Sequence, residues 1–352
     1  MSDQMLPLTA ESGLADGPQA FTATLDNCAR EPIHIPGSIQ PPGALLTFEP
    51  ASGSILHAST NLGRWLPVGN LPVTGRAVSE LLGESVYDRM TQALTGRASG
   101  LVRHEVVDLP ARPEAGQPHA LEAVVHSHRG VGFIEIEPAA ASASDWMQGL
   151  GDTIDALRSA NGLEDLYQRV AQRVKRLTGF DRVMVYRFDQ DDHGHVVADV
   201  REPGMESFYD LHYPASDIPA QARALYASNL VRYIADVGYE PVPVLPWLSN
   251  EHLEPLDMSH AMLRSVSPMH IQYLRNMGVA SSLSLSLLID GRLWGLIACH
   301  HRQPTTLSMR LRRACHALSV TVGCRRQSKF DPPRQSNIDP GMDADRVTVS
   351  CG

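Results

Sequence analysis

The chain has 352 residues, 43% of them hydrophobic and 20% charged, with a formal net charge of -9, the make-up of a globular protein of about two domains, each able to bury its own core. That acidic balance leaves no footprint for a nucleic-acid backbone. No apolar run approaches the roughly 18 residues of a membrane span, and the N-terminus lacks the cationic segment and apolar core of a secretion signal, so a cytoplasmic protein without membrane contact is expected. Cys28, Cys299, Cys315, Cys324 and Cys351 are odd in number, widely spread and free of Cys-x-x-Cys spacing, which argues against a disulfide framework or a structural zinc.

Residues 1–24 mix Gly, Pro, Ala and acids without periodicity and read as a flexible leader. Order is expected from Leu25, and from Gly43 to about Pro138 short strand patterns dominate, in "GALLTFEP", "GSILHAST", "LVRHEVVDLP" and "HALEAVVHSHRGVGFIEIEP", the last split by an Arg-Gly turn as a hairpin would be. "AVSELLG" and "ESVYDRMTQALTG" lie between them with helical spacing. Residues 25–138 are therefore expected to form an antiparallel sheet with helices on one side, an α+β domain. Residues 139–145, "AAASASD", are a small polar linker.

A second α+β domain is expected over 146–325. Helical patterns at 146–160 and 163–178 open it, the latter stopped by Gly179, and strands follow in "DRVMVYRFD", "HVVADVR", "ASSLSLSLLID" and "RLWGLIACHH". Asp290-Gly291 joins the last two as a hairpin turn. Between the early and late strands stand about 75 residues rich in Pro, Tyr, Arg and His, and so long a connection inside a compact domain is usually functional. A helix at 306–325 precedes a tail, 326–352, that reads as disordered. Helices 146–160 and 306–325 are expected either to build a dimer bundle or to lie buried against the sheet.

Chemistry concentrates in this second domain. Ser282, Ser284 and Ser286 alternate with leucines, so one strand face is a ladder of hydroxyls, either a wet face or the lining of a polar pocket. In "CHH" at 299–301 a strand points Cys299 and His301 one way and His300 the other, so three ligands cannot converge and no metal is expected. Ser216 or Asp217 in "YPASDIPAQARALY" either caps the helix that follows or Asp217 serves a ligand. Arg232 and Arg264 are guanidinium forks in apolar, aromatic company, suited to salt bridges at a core edge or to gripping two ligand carboxylates. His270 and Tyr273 fall three apart on one helical face of "SPMHIQYLRNMG", beside Ser267.

Taken together, "CAREPIHIPGSIQPPGALL", "GFDRVMVYRFD", "YPASDIPAQARALY", "RSVSPMHIQYLRNMGV" and "RLWGLIACHH", in this order, closely resemble the bacteriophytochromes, red-light receptors that bind a linear tetrapyrrole. The resemblance covers about residues 22–325. It implies a PAS domain followed by a GAF domain, with the segment around Ile35 threaded as a knot through the long GAF connection. It implies biliverdin as cofactor, joined by a thioether from Cys28 to a ring A vinyl group. Met269 stands where plant and many cyanobacterial relatives carry their attachment cysteine, which favours biliverdin over phycocyanobilin.

By the same resemblance Asp217 gathers the pyrrole N–H groups and His270 stacks near rings A to C. Arg232 and Arg264, with Tyr226, Ser267, Ser282 and Ser284, grip the two propionates, and His300 bonds the ring D carbonyl. Tyr186, Tyr213 and Tyr273 confine ring D, while Met184, Met277 and Ile218 either join that box or are plain core. The implied function is red/far-red sensing by Z/E isomerisation at ring D, in a homodimer that addresses a separate signalling partner. An enzyme is not expected, because the one nucleophile singled out reacts once with its own cofactor. Pro42 stands where relatives commonly have His, and the family's PHY domain and histidine kinase have no counterpart after 325, so incomplete photoconversion is expected. Two other readings stay open. A pigment-free PAS-GAF interaction or dimerisation module would be colourless; a haem- or cyclic-nucleotide-binding GAF protein would show a Soret band or nucleotide-dependent stabilisation.

Overall fold

The structure is a computed structural model that describes residues 23–24, 27–69, 72–94, 102, 104–109, 111, 120–139, 157, 159–248 and 254–325. Nearly all of the leader, most of the linker and of the expected helix at 146–160, and the tail lie outside the described residues.

In the first domain the expected patterns become β1 (Ser38–Ile39), β2 (Ala44–Phe48), β3 (Ile55–Ser59), β4 (Glu105–Leu109), β5 (Leu121–His128) and β6 (Val131–Pro138), with α1 (Val78–Leu82) and α2 (Glu84–Leu94). Phe48, Ile134 and Ile136 from the sheet and Leu82 and Met90 from the helices share one core. That sheet is completed from the second domain. β11 (Val242–Leu245), a piece of the long connection, pairs with both β1 and β3 and gives the order β1-β11-β3-β2-β6-β5-β4. On the free edge of β1, Ile39 bridges to Arg264. Met258 N–H donates to His34 O at 2.8 Å, and Gln40 N–H to Leu263 O at 2.8 Å. Residues 34–40 thus run between two limbs of the connection, and Ile39, Leu45, Phe133, Val244, Met258 and Leu263 pack together there.

The second domain is an antiparallel sheet ordered β10-β12-β13-β7-β8-β9, made of β7 (Arg182–Phe188), β8 (Gly194–Arg201), β9 (His212–Tyr213), β10 (Val231–Ile234), β12 (Ser281–Ile289) and β13 (Arg292–His301). α3 (Leu163–Thr178) and α6 (Met309–Arg325) cover one face; α4 (Ala220–Ser228) and α5 (Pro268–Asn276) flank the other. In α3, Leu166, Tyr167, Val170, Ala171 and Val174 form the buried stripe, and Gly179 at φ 71° ends the helix by donating its N–H to Lys175 O. Asp290 and Gly291, at φ 51° and 70°, make the two-residue turn that their sequence calls for.

Of the two fates open to helix 306–325, burial is what the structure shows. Cys315, Leu318 and Val322 of α6 enter the core, while Val320 on its outer side is 47% exposed. Three arginines then clamp α6 to the first domain: Arg310 pairs with Glu122 at 2.6 Å and with Asp108, Arg312 with Glu137, and Arg313 with Glu105 at 3.9 Å. The described residues are thus α+β, in two antiparallel sheets with helices. Among the described residues no helix is long and apolar enough to cross a membrane.

Candidate functional site

Strand alternation sorts the side chains of β12 and β13 onto two faces. The register pairs Leu283 with Cys299 and Ser282 with His300. Leu283, Leu285, Ile297 and Cys299 enter the core, whereas Ser282, Ser284, Ala298 and His300 face a cavity of about 320 Å³. The hydroxyl ladder is a pocket lining at Ser282 and Ser284; Ser286 instead donates to Tyr226 O at 2.6 Å. Apart from Ser286, the residues expected to hold a ligand line this one cavity: Cys28, Asp217, Ile218, Tyr226, Arg232, Arg264, Ser267, His270 and Tyr273, together with Tyr186 and Tyr213.

Arg232 and Arg264 are the unusual pair. Neither has a carboxylate partner among the described residues, so the salt-bridge reading fails. Arg232 donates to Met262 O at 3.5 Å and to Arg264 O, and Arg264 to Ser259 O at 3.4 Å. Arg264 is 5% exposed and its Nε is buried without a partner. Burial, and then the like charge of Arg232, push its pKa down from 12.5 to about 9. Two cations are held side by side in a low-dielectric cavity with no counter-ion in contact.

The two cavity imidazoles are neutral. Burial first, then the charge of Arg232, lowers His270 to about 4. Burial, then Arg182 and His270, lowers His300 to about 3, and its buried Nδ1 has no partner. The ring of His270 lies 6.2 Å from that of Tyr273, nearly parallel. Tyr186, 9% exposed, has its ring 6.1 Å from that of Tyr213. Burial and then Asp217 push the Tyr273 hydroxyl up to about 12 and raise that of Tyr186 further.

Asp217 sits in a 3-10 turn, Ala215–Asp217, and burial raises its pKa. No hydrogen bond or ion pair reaches its carboxylate among the described residues. The capping reading is overturned: the residue before α4 is Pro219, and no side chain caps it. Arg223 closes the loop instead, donating to Ala215 O at 3.3 Å and Ile218 O at 2.6 Å while pairing with Asp192 at 2.7 Å.

The thiols sort by burial. Cys299 is raised well above its ordinary pKa and Cys315 to about 12, both by burial, which suppresses the reactive thiolate. Half-buried Cys28 faces the cavity from the turn Cys28–Arg30. Sequence reasoning missed what holds it: Gln221 Nε2 donates to Cys28 O at 2.6 Å. It also missed Glu31, which accepts from the Ser267 hydroxyl at 2.5 Å, and Phe208, whose ring lies 3.7 Å under the guanidinium of Arg182. Ser267 in turn caps α5 by accepting from Met269 N–H at 3.2 Å. The Ser267 cap, with Pro268 after it, is a local signal; no local pattern signals Gln221, Glu31 or Phe208, because each meets its partner from a distant part of the chain.

Outside the cavity, Asp189, His195 and His212 bring possible metal-ligand atoms within 4.8 Å of one another. Arg187 pairs there with Asp189 at 2.7 Å and His195 with Asp210 at 2.9 Å, so the group reads as a satisfied surface ion-pair cluster.

Residues 28–139 match the family described as PAS fold, and residues 162–322 the GAF domain family. The solved chromophore-binding domain of Stigmatella aurantiaca bacteriophytochrome, a point mutant in the Pr state, is 37% identical, with a TM-score of 0.77, covering 85% of this chain and 98% of that one. The chain belongs to the bacteriophytochrome family. A bacteriophytochrome of Xanthomonas campestris pv. campestris (strain 8004) is 42% identical over 341 residues, 92% of this chain and 52% of that protein. The Pseudomonas aeruginosa bacteriophytochrome is 40% identical over 302 residues, 84% of this chain and 40% of its own length. The chain therefore spans about half, or less, of these full-length bacteriophytochromes, and corresponds to the PAS and GAF part of the family.

Proposed function

We propose that this PAS-GAF unit is a red/far-red light sensor that holds biliverdin, with Cys28 joined to it as a thioether. The observation that carries the reading is the buried pair Arg232 and Arg264, cations without a counter-ion among the described residues, facing the cavity lined by Cys28. A tetrapyrrole with two propionates supplies the two missing anions, and charge-assisted hydrogen bonds to guanidinium are the strong ones. The unpartnered His300 Nδ1 suits a hydrogen bond to the ring D carbonyl, and the unpaired Asp217 carboxylate suits pyrrole N–H donors. Tyr186, Tyr213 and Tyr273 exclude water around that ring.

Cys28 would hold the group by adding its thiol across a ring A vinyl: the S–C bond would form, the C=C bond would become single and the thiol proton would pass to the neighbouring carbon, with no oxidant required. Bound biliverdin supplies the red absorption and the Z/E isomerisation at ring D. A homodimer, a separate signalling partner, a cytoplasmic setting and the knot belong to the same proposal. Support for the knot is the passage of residues 34–40 between two limbs of the connection.

Absorption spectra with and without biliverdin, before and after red illumination, test the reading together with a zinc-stained denaturing gel and Cys28→Ser in parallel. The expected result is a red band that changes on illumination, and zinc fluorescence that disappears in Cys28→Ser. A protein that takes up no pigment overturns it and leaves a PAS-GAF scaffold.

A further inference from the structure

One carboxylate at the junction of the two domains plays no part in the site just described. Glu135 lies in the middle of β6 and is 0% exposed. Its Oε1 accepts the N–H of Met262 at 2.9 Å and its Oε2 the N–H of Leu263 at 2.6 Å. The same short stretch supplies the carbonyls that seat the cavity guanidiniums: Met262 O and Arg264 O accept from Arg232, and Ser259 O accepts from Arg264. A PAS carboxylate thus holds the amides of the same short backbone stretch, 259–264, whose carbonyls accept from the two cations that line the GAF cavity. Burial raises the Glu135 pKa from 4.5 to about 7, and the two N–H bonds oppose that rise; they favour the ionised form, in which both oxygens accept, whereas an amide side chain offers one acceptor oxygen and an NH₂ that opposes the second N–H. Glu135 also supplies a distant negative charge to both guanidiniums.

We propose that Glu135 is a positioning residue for the cavity: by fixing the amides of Met262 and Leu263 it aims Arg232 and Arg264 at the carboxylates of the ligand. The first domain thereby sets how strongly a pocket in the second prefers a dicarboxylate. This inference rests on the dicarboxylate reading above, and its test separates the two.

In Glu135→Gln the side chain keeps its size but loses one acceptor. Hydrogen exchange of the ligand-free full chain reads the hold on the loop: peptides covering 258–266 should exchange roughly tenfold faster than in the wild type, with α3 unchanged. Binding of biliverdin and of its dimethyl ester, both in a Cys28→Ser background so that association is reversible, reads the aim. Glu135→Gln should weaken the diacid about tenfold and the diester by less than about twofold. A merely structural role weakens both equally, and that result, or an undiminished diacid affinity, overturns the inference. Wild-type protein that binds neither ligand, or binds the diester as tightly as the diacid, overturns the dicarboxylate reading instead, while the exchange arm still decides whether Glu135 holds the loop. Should Glu135→Gln fail to fold, Glu135→Asp retains both acceptors one methylene further back and should show the same selectivity with a smaller loss.

Discussion

Replacing Arg264 with methionine should stabilise the ligand-free protein while weakening its grip on a dicarboxylate. A fall from 12.5 to about 9 corresponds to roughly 5 kcal/mol against the charged form, an upper bound for a side chain beside a water-accessible cavity. Arg264→Met keeps the length of the side chain, removes that cost and gives up one 3.4 Å bond to Ser259 O, worth about 1 kcal/mol. Buried charges replaced by apolar groups of similar volume commonly gain about 1–4 kcal/mol. A net gain of about 2 kcal/mol raises Tm by about 4–8 °C for a domain of this size.

The sign of the pH dependence follows from the same shift. Between about 9 and 12.5 the unfolded chain holds the Arg264 proton that the folded chain releases, so the destabilising contribution of Arg264 itself shrinks as pH rises through that range. The gap between the two melting curves should therefore narrow as pH rises from 8 to about 10. In the presence of biliverdin the order reverses, because truncating one partner of a buried charge pair costs about 2–5 kcal/mol of binding. Thermal melts at several pH values and a pigment titration read both arms. A variant that melts below the wild type and binds biliverdin with undiminished affinity would refute the reasoning and make Arg264 a packing residue.

The neutral imidazoles predict acid sensitivity. His270 falls from 6.5 unfolded to about 4 folded, so its contribution is fully present above 6.5 and is lost as pH falls, by about 2 kcal/mol between pH 6.5 and 5. Urea midpoints at pH 7.5 and 5 should differ less in His270→Gln than in the wild type, and equal differences would sink the idea. A Cβ on Gly194 would enter the space of the Tyr186 ring, so Gly194→Ala should cost about 1–3 kcal/mol, and an unchanged Tm would show that Tyr186 retreats freely. Gln221→Ala removes the 2.6 Å bond to Cys28 O. It should slow covalent attachment about threefold to tenfold on a timed zinc-stained gel, since orientation of the thiol is lost, and an unaltered rate would mean the turn orients Cys28 alone.

Local physics makes much of this molecule legible in the amino-acid sequence. Helical spacing and a glycine that tolerates positive φ specify α3 and its end; serine-leucine alternation sorts β12 onto two faces, and the Asp290-Gly291 turn sets the β12–β13 hairpin. The cavity residues are recognised through five long motifs rather than through spacing, and their side chains do converge on one wall-to-wall space. Failures come where a local rule meets a distant competitor. Ser216 and Asp217 have the right chemistry to cap α4, but the helix begins only after Pro219, Arg223 binds the loop carbonyls, and Asp217 lines the cavity. Ser267 spends its hydroxyl on Glu31, 236 residues away.

The order of residues is enough to specify the two α+β domains, most of their elements and the residue types that can hold an acidic tetrapyrrole, because periodicity, turn chemistry and motif order are properties of neighbouring residues. Three features emerge only when distant segments pack. β11 completes the other domain's sheet, arginines clamp α6 to it, and Arg232 and Arg264 lie together without a counter-ion among the described residues while Glu135 holds the amides of Met262 and Leu263. Whether a buried charge is paired depends on contacts between segments far apart in the chain, and no local pattern records which distant group arrives.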